Sequence, residues 1–335
     1  MLKHSVGKKN SGMIGARLLT VGVVVSSLLL CGCKTDGNVK APASGSKEYF
    51  REQGIAYMGQ ERYSDAIVAF EAALKKSNGI VRDIDYDISY YLALAEYKAG
   101  NHEEAYNIYS AIIGMDEKAA DAYYLRGRVT LYEGDRQAAM SDYDKAVELK
   151  KTDHNLYKRI YLDLASAGYE EDGRAYVNRA LQSDQKISDY HRGVYSYYLE
   201  KYDDARNYLE KARNKNTDAD LIAYLGKTYK KLGDNGYAAS LFETYLGTDP
   251  TDAEIYNELG LVKLESGDLD GALTAFQNGI ATGDEAVMQS LLFNEIVTYE
   301  YKLDFESAKN KMAEYVIRYP NDEKAKRENI FLSTR

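Results

Sequence analysis

Apolar residues recur along most of the chain at the three-to-four-residue spacing of amphipathic helices. In one stretch, Leu225, Tyr229 and Leu232 lie on one face of a predicted helix, and Ala238 and Phe242 lie on one face of the next. A short polar turn separates the two helices. Because a single hairpin of this kind cannot bury both apolar faces, the pattern predicts helical hairpins that stack on their neighbours.

The hairpins recur with a period of 34 residues. Gly100, Gly134 and Gly168 are spaced by 34 residues, as are Gly233 and Gly267. Each glycine is followed by a polar turn that contains acidic residues and then by the start of a second helix. A glycine at this position favours the end of one helix, and the acidic residues favour the start of the next.

Three further positions recur within each period, namely a small residue in the first helix, an alanine early in the second, and a bulky apolar residue four positions later. This pattern resembles the tetratricopeptide repeat. The early small position carries Gly54, Ala93, Gly127, Tyr161, Gly193, Gly226, Gly260 and Ile296. The alanine position carries Ala66, Ala105, Ala139, Gly173, Ala205, Ala238, Ala272 and Ala308, and the bulky position carries Phe70, Tyr109, Tyr143, Val177, Leu209, Phe242, Phe276 and Met312.

The resemblance implies an all-α fold, a right-handed superhelical solenoid of about eight stacked hairpins over residues 47–322. The predicted repeats start near Lys47, Tyr86, Ala120, His154, Lys186, Ala219, Ala253 and Gln289. Residues 323–335 are predicted to form a helix that caps the last repeat. Tyr161, Gly173 and Ile296 depart from the pattern, so distorted or looser packing is expected in the fourth and eighth repeats.

The first 32 residues read as an export signal. Their only charges are positive, and an apolar run over residues 18–30 is too short to span a bilayer. The run ends in Leu30-Cys31-Gly32-Cys33, which resembles the lipobox of bacterial lipoproteins. That resemblance implies cleavage before Cys33 and acylation of its thiol. The alternatives are acylation of Cys31 and an ordinary cleaved signal.

Residues 33–46 follow as an acylated cysteine and a flexible tether, since they are small, polar and without pattern. The expected location is therefore a bacterial membrane, with the protein lipid-anchored on the extracytoplasmic side, at the cell surface or in the periplasm.

Composition and net charge limit the classes of partner that the sequence predicts. The formal net charge is −9, and because four cations and no acidic residue precede Cys33, the charge without that segment is −13. Nucleic acid is bound through clustered lysine and arginine, and the sequence offers no such run beyond residues 324–327. Nucleic acid is therefore not an expected partner. With only 3 prolines, the composition also suits a helical protein.

No motif of a catalytic or metal site is complete. Asp83, Asp85 and Asp87 alternate as in a calcium loop, but Ile88 and Leu94 stand where that loop needs glycine and glutamate. The three histidines after the signal, at positions 102, 154 and 191, have no paired ligand spacing. The sequence therefore predicts no catalytic residue, no metal site and no cofactor, and a protein that is not an enzyme.

The resemblance also implies a ligand groove lined by the first helix of each repeat. The groove-facing positions are Tyr90, Tyr91, Tyr97, Tyr124, Tyr132, Lys158, Arg159, Tyr190, His191, Tyr197, Tyr198 and Tyr224. Tyrosine offers a large, stiff contact area with a polar tip, which favours recognition of peptides or sugar rings. The alternative is that these tyrosines, among 32 in the chain, fill helix interfaces.

These features predict a membrane-anchored, non-catalytic adaptor that binds a protein or peptide of the cell envelope. The alternative function is a lipoprotein that binds glycan or peptidoglycan in the tyrosine-lined groove. Binding of chaperone tails by a carboxylate clamp is not expected, because Arg51, Ile55 and Tyr91 occupy places where the clamp needs lysine and asparagine.

Overall fold

The computed structural model describes residues 42–183, 186–215 and 217–335. Within these ranges the chain is helical, with no β-strand. The described residues divide into two compact units, an amino-terminal unit over residues 42–233 and a carboxy-terminal unit over residues 234–335. The predicted signal (1–32), Cys33 and most of the predicted tether lie outside the described residues.

The amino-terminal unit holds the first eleven α-helices of the described chain. They are α1 (Lys47–Gly59), α2 (Tyr63–Leu74), α3 (Asp83–Ala99), α4 (His102–Met115), α5 (Ala120–Tyr132), α6 (Arg136–Leu149), α7 (His154–Ser166), α8 (Glu170–Ser183), α9 (Asp189–Tyr198), α10 (Tyr202–Arg213) and α11 (Ala219–Lys231). A short 3-10 helix, Lys75–Ser77, follows α2.

The carboxy-terminal unit continues the alternation with α12 (Asn235–Leu246), α13 (Ala253–Glu265), α14 (Leu269–Ala281), α15 (Glu285–Tyr301), α16 (Phe305–Arg318) and α17 (Glu323–Ser333). Within each unit, consecutive helices pack against each other as hairpins. The first helices of neighbouring hairpins also touch, for example α5 with α7 and α13 with α15. None of the helices in these described ranges is both long and apolar enough to cross a membrane.

The residues at which the first helices begin can be compared with the predicted starts of the repeats. Five of them begin at the residues where repeats were predicted to start, namely Lys47, Ala120, His154, Ala219 and Ala253. The other three differ by three or four residues. Helix α9 begins at Asp189 because the Ser188 side chain accepts a hydrogen bond from the backbone N–H of His191, at 3.2 Å.

The glycine at the hairpin turn adopts a left-handed conformation. Gly100, Gly134 and Gly168 have φ of 88°, 84° and 84°. This conformation closes the first helix and carries little cost for a residue without Cβ. In three repeats a residue with a side chain takes the left-handed conformation near this turn, namely Glu61, Glu200 and Leu303.

In most hairpins the core depends on a small residue of the first helix that faces a large residue of the second. Gly54 packs against Phe70 so closely that an added Cβ would lie 2.3 Å from the Phe70 ring. Gly260 stands in the same relation to Phe276. Phe70 and Phe276 are fully buried. The repeated glycine therefore sets how closely the two helices of a hairpin approach.

The fourth repeat reverses this arrangement. Tyr161, in the position usually held by a small residue, is buried, and Gly173 of the second helix leaves room for it. A Cβ on Gly173 would lie 3.0 Å from the Tyr161 ring. In the eighth repeat Ile296 shares a buried cluster with Met312. The bulky Tyr161 is therefore accommodated by the small residue that faces it, and Ile296 is buried in the core of its repeat.

Candidate functional site

All twelve predicted groove residues lie on first helices of the amino-terminal unit, on α3, α5, α7, α9 and α11. We call their common surface the first-helix face. Eight of the twelve are at least partly accessible, namely Tyr90, Tyr91, Tyr97, Tyr132, Lys158, Arg159, Tyr190 and His191. Tyr132 is the most open of the tyrosines among them, with 66% of its surface exposed.

The other four predicted groove residues are buried, and this corrects their expected role. Tyr124 is 1% exposed, and Tyr197, Tyr198 and Tyr224 are also buried. Tyr198 stacks on Tyr161 with ring centroids 3.8 Å apart and shares a hydrogen bond with the Tyr224 hydroxyl. These rings fill helix interfaces, as the packing alternative expected, and cannot offer a face to a ligand.

A cationic cluster lies where α3, α5 and α7 meet. We call Lys98, Tyr124, Arg128, Arg159 and Asp163 the arginine–tyrosine cluster. The Tyr124 hydroxyl donates to Asp163 Oδ2 at 2.8 Å, and Arg128 Nε lies 3.3 Å from the same oxygen. The Arg159 guanidinium lies over the Tyr124 ring, 4.5 Å from its centroid. Helical spacing of four residues places Arg128 beside Tyr124 and Asp163 beside Arg159.

The charges in this cluster do not balance. Asp163 is the carboxylate between Arg128 and Arg159, and burial raises its pKa although both cations and the Tyr124 hydroxyl oppose that rise. Burial lowers the pKa of Lys98, and the nearby charge of Arg128 lowers it further, while Glu61 acts in the opposite sense. The guanidinium groups of Arg128 and Arg159 therefore share one central carboxylate, which leaves a positive excess among these three side chains.

Aromatic rings border the arginine–tyrosine cluster. Tyr97 contacts Tyr132 edge-to-face, with centroids 5.8 Å apart, and both rings lie near His102. His102 Nδ1 lies 2.5 Å from Glu133 Oε1, which fixes the imidazole. Tyr97 lies close enough to Arg128 for that cation to oppose the rise that burial causes in the tyrosine's pKa. The exposed ring of Tyr132 and the partly accessible ring of Tyr97 therefore border the partly buried Arg128.

A second polar cluster lies further along the same face, and its members bind one another. Lys158 Nζ, the Tyr190 hydroxyl and Asp220 Oδ2 form a triangle, with Lys158 and Tyr190 each 2.5 Å from the aspartate oxygen. Burial would raise the pKa of Asp220, but the charge of Lys158 and both hydrogen bonds lower it. Each of these three groups is satisfied by the other two.

His191 lies next to this triangle and is neutral at ordinary pH. Burial lowers its pKa to about 4, and the charges of His154 and Lys158 add to the effect. Its Nδ1 lies 2.8 Å from the Ser188 hydroxyl. The imidazole is therefore placed as a neutral hydrogen-bonding and stacking group, with centroids 5.0 Å from the Tyr190 ring.

Tyr90 and Tyr91 continue the face toward the amino terminus. Tyr91 stacks on Phe70 with centroids 5.7 Å apart, and Arg51 lies 5.6 Å from the Tyr91 centroid. Burial raises the pKa of Tyr90, and the charge of Asp121 raises it further. Both rings are therefore partly buried and serve partly as packing.

The first-helix face offers binding groups and no complete catalytic set. In the described ranges no three histidine, cysteine, aspartate or glutamate side chains are grouped as a metal site. The sequence pattern had not singled out Lys98, Arg128, Asp163 or Asp220. The spacing Tyr124–Arg128–Tyr132 on one helix was the available signal, because residues four apart share a face.

Comparison with known proteins identifies the repeat. Two tetratricopeptide repeat family models match this chain, one over residues 51–114 and 225–286 and the other over residues 120–153. A TPR repeat-containing protein of Methanocaldococcus jannaschii is 25% identical over 226 residues, which are 61% of this chain and 38% of that protein. BBSome complex member bbs-4 of Caenorhabditis elegans is 27% identical over 187 residues, 52% of this chain and 40% of that protein. The matches therefore span less than half the length of these relatives.

Among solved structures, a tetratricopeptide repeat protein from Parabacteroides merdae ATCC 43184 is similar with a TM-score of 0.50 and 17% sequence identity. The match covers 75% of this chain and 98% of that one. At this identity the likeness concerns the fold alone. With the matched repeats and the all-helical hairpins described above, it leads to one conclusion: this chain contains tetratricopeptide repeats.

Proposed function

We propose that this protein is a non-catalytic adaptor that binds an extended peptide or protein segment along its first-helix face. The observation that carries the proposal is the arrangement of that face, on which accessible tyrosines stand beside accessible cations over α3, α5, α7 and α9. Tyr97, Tyr132 and Tyr190 supply stiff contact area, and Arg159 supplies charge. Such a mixture is typical of surfaces that bind proteins.

The proposed site of action is the extracytoplasmic side of a bacterial membrane, with the chain anchored by lipid on Cys33. The lipobox resemblance supports this proposal, as does the apolar run of residues 18–30 that precedes it. The partner is accordingly proposed to be a protein or peptide of the cell envelope.

Photo-cross-linking in the native cells tests the binding face. Benzoylphenylalanine replaces Tyr132 in one variant and Tyr106 in the other. Tyr106 is 39% exposed but lies on α4, a second helix. We expect a discrete protein adduct from the Tyr132 variant and none, or a different set, from the Tyr106 variant.

Other outcomes of this experiment have defined meanings. Identical adducts from both variants would move the binding surface away from the first-helix face. Recovery of cell-wall fragments in place of protein would favour glycan binding, the alternative function, in which the exposed rings of Tyr132 and Tyr190 would stack on sugars.

A further inference from the structure

We propose that the arginine–tyrosine cluster binds an acidic side chain of the partner segment, with Arg159 as the principal contact. This inference rests on the proposed function, since it names the chemistry of the segment that the first-helix face would hold. It assigns to α3, α5 and α7 a subsite for a carboxylate within an extended chain.

The unpaired guanidinium of Arg159 is the first observation behind this proposal. In the described part of the chain Arg159 makes no ion pair, and its buried Nε has no hydrogen-bond partner. Its contact is instead with the face of the Tyr124 ring, at 4.5 Å. A partly buried guanidinium without a carboxylate carries a desolvation cost that a bound anion would offset.

The geometry of the neighbours is the second observation. Asp163 accepts a hydrogen bond from Tyr124 and pairs with Arg128, so its single negative charge offsets the charge of Arg159 only in part. Tyr124 fixes the plane over which the guanidinium lies, because its ring is buried and its hydroxyl is bonded. The guanidinium is therefore held in position before any ligand arrives, which lowers the entropy cost of binding.

The contrast with the triangle of Lys158, Tyr190 and Asp220 supports the assignment. There the cation has its own carboxylate at 2.5 Å, so a second anion would have to displace Asp220. The two clusters lie on the same face and share α7, but only the arginine–tyrosine cluster has a positive excess. A carboxylate is therefore expected at Arg159 and not at Lys158.

Charge over the whole chain favours a short acidic segment over a long polyanion. The net charge of the protein is −9, so a polymer that extends beyond the cluster meets repulsion elsewhere. A peptide with one or two acidic residues interacts only with the local excess of positive charge. The exposed ring of Tyr132 and the partly accessible ring of Tyr97 then contact the residues that flank the acidic one.

Selection of peptides on the full-length protein in detergent micelles tests this inference. A library of random twelve-residue peptides displayed on phage is selected on the unchanged protein, on Arg159→Gln, on Arg159→Lys and on Arg179→Gln. Arg179 is the matched control, an exposed arginine on the second helix α8 that is paired with Asp144. Circular dichroism melting checks that every variant is folded.

The expected result is enrichment of aspartate and glutamate on the unchanged protein and on Arg179→Gln. A selected acidic peptide should bind Arg159→Gln at least about tenfold more weakly, since a charge-assisted hydrogen bond is lost. Arg159→Lys should keep part of the affinity, and added salt should weaken binding. A version of the peptide with glutamine in place of glutamate should lose a similar factor.

Three outcomes overturn the inference. Enriched peptides without acidic residues, or equal binding by Arg159→Gln, would leave peptide binding intact and remove the assigned subsite. No enrichment on any form would refute peptide binding as well. Tighter, Arg159-dependent binding of a short single-stranded oligonucleotide would assign the subsite to phosphate and not to a peptide carboxylate.

Discussion

At the residue scale, single positions decide whether the hairpin turn is relaxed or strained. Five repeats place glycine in the left-handed conformation at this turn, whereas Leu303 adopts it with φ of 60° and is 73% exposed. A side chain in that conformation costs roughly 1–2 kcal/mol, because Cβ crowds the following carbonyl oxygen. Leu303 makes little packing contribution to offset this cost.

We therefore expect Leu303→Gly to raise the free energy of unfolding by roughly 0.5–1 kcal/mol, after the greater flexibility of glycine in the unfolded chain is deducted. Urea unfolding followed by circular dichroism measures the change. Leu303→Ala is the matched control, since alanine shortens the side chain but keeps the Cβ. Equal stabilisation by both variants would show that strain at this turn is not the cause.

A second residue-scale prediction concerns the reversed packing of the fourth repeat. A Cβ on Gly173 would lie 3.0 Å from the Tyr161 ring and 3.2 Å from its carbonyl oxygen. Gly173→Ala should therefore lower the free energy of unfolding by roughly 1–3 kcal/mol, the usual cost of overpacking. The same change in a Tyr161→Ala background should cost less, because only the contacts with the backbone at position 161 remain.

A double-mutant cycle over Tyr161 and Gly173 measures this coupling. The four proteins are compared by urea unfolding, and the interaction energy is the quantity of interest. An interaction energy near zero would mean that the side chain of Tyr161 does not determine the cost of a side chain at position 173.

At the element scale, the carboxy-terminal helix α17 docks through one buried acid. Asp322 caps α17 by accepting from the backbone N–H groups of Lys324 and Ala325, each at 3.0 Å, and from the Tyr315 hydroxyl at 2.8 Å. Ala325 and Leu332 are fully buried. The predicted role of residues 323–335 as a cap stays a prediction, although α17 packs on α16 as a cap would.

The same interface makes stability depend on pH through Glu300. Burial raises the pKa of Glu300 to about 7, and the charge of Glu328 on α17 raises it further, while Lys324 opposes the rise. The unfolded chain releases this proton near pH 4.5, its ordinary value, whereas the folded chain keeps it until about pH 7. The contribution of Glu300 to stability therefore falls as pH rises between these values.

We expect Glu300→Gln to remove part of this loss, so that its melting temperature exceeds that of the unchanged protein at pH 8 by more than at pH 5. Glu314→Gln, an exposed site on α16, is the control. The melting temperatures of the three proteins are measured at both pH values. The same difference between the unchanged protein and Glu300→Gln at pH 5 and pH 8 would contradict the role of this carboxyl.

At the scale of the whole molecule, the lipid anchor remains a prediction from sequence. Replacement of Cys33 by serine should release the protein from membranes and abolish labelling with an alkyne-tagged palmitate, because Cys33 is the predicted site of acylation. Cys31→Ser is the control and should leave both properties unchanged. Loss of label in Cys31→Ser, with label retained in Cys33→Ser, would assign the lipid to Cys31.

Much of the fold followed from the sequence because its cause is local. The 34-residue spacing of glycines and the alternation of apolar faces depend on residues close in the chain, and these marked the helical hairpins and five of eight first-helix starts. Asp284 shows why the others shifted, since this aspartate accepts a hydrogen bond from the backbone N–H of Ala286 and starts α15 four residues before Gln289.

The binding face was only partly predictable. The sequence placed twelve residues on first helices, but it could not separate Tyr132, which is open, from Tyr124, which is buried. Both occupy helix faces with similar spacing. Their exposure depends on the neighbouring repeats, because Asp163 and Arg159 of α7 cover Tyr124 while the end of α5 leaves Tyr132 uncovered.

The sequence by itself determined the repeat and its helical class, since both depend on short-range pattern. Only the tertiary structure decided which charges are paired. Lys158 has Asp220 as its partner, 62 residues away, and Arg159, its neighbour in the chain, has none among the described residues. Adjacent residues point toward different neighbouring helices, so their partners are fixed by packing and not by the local sequence.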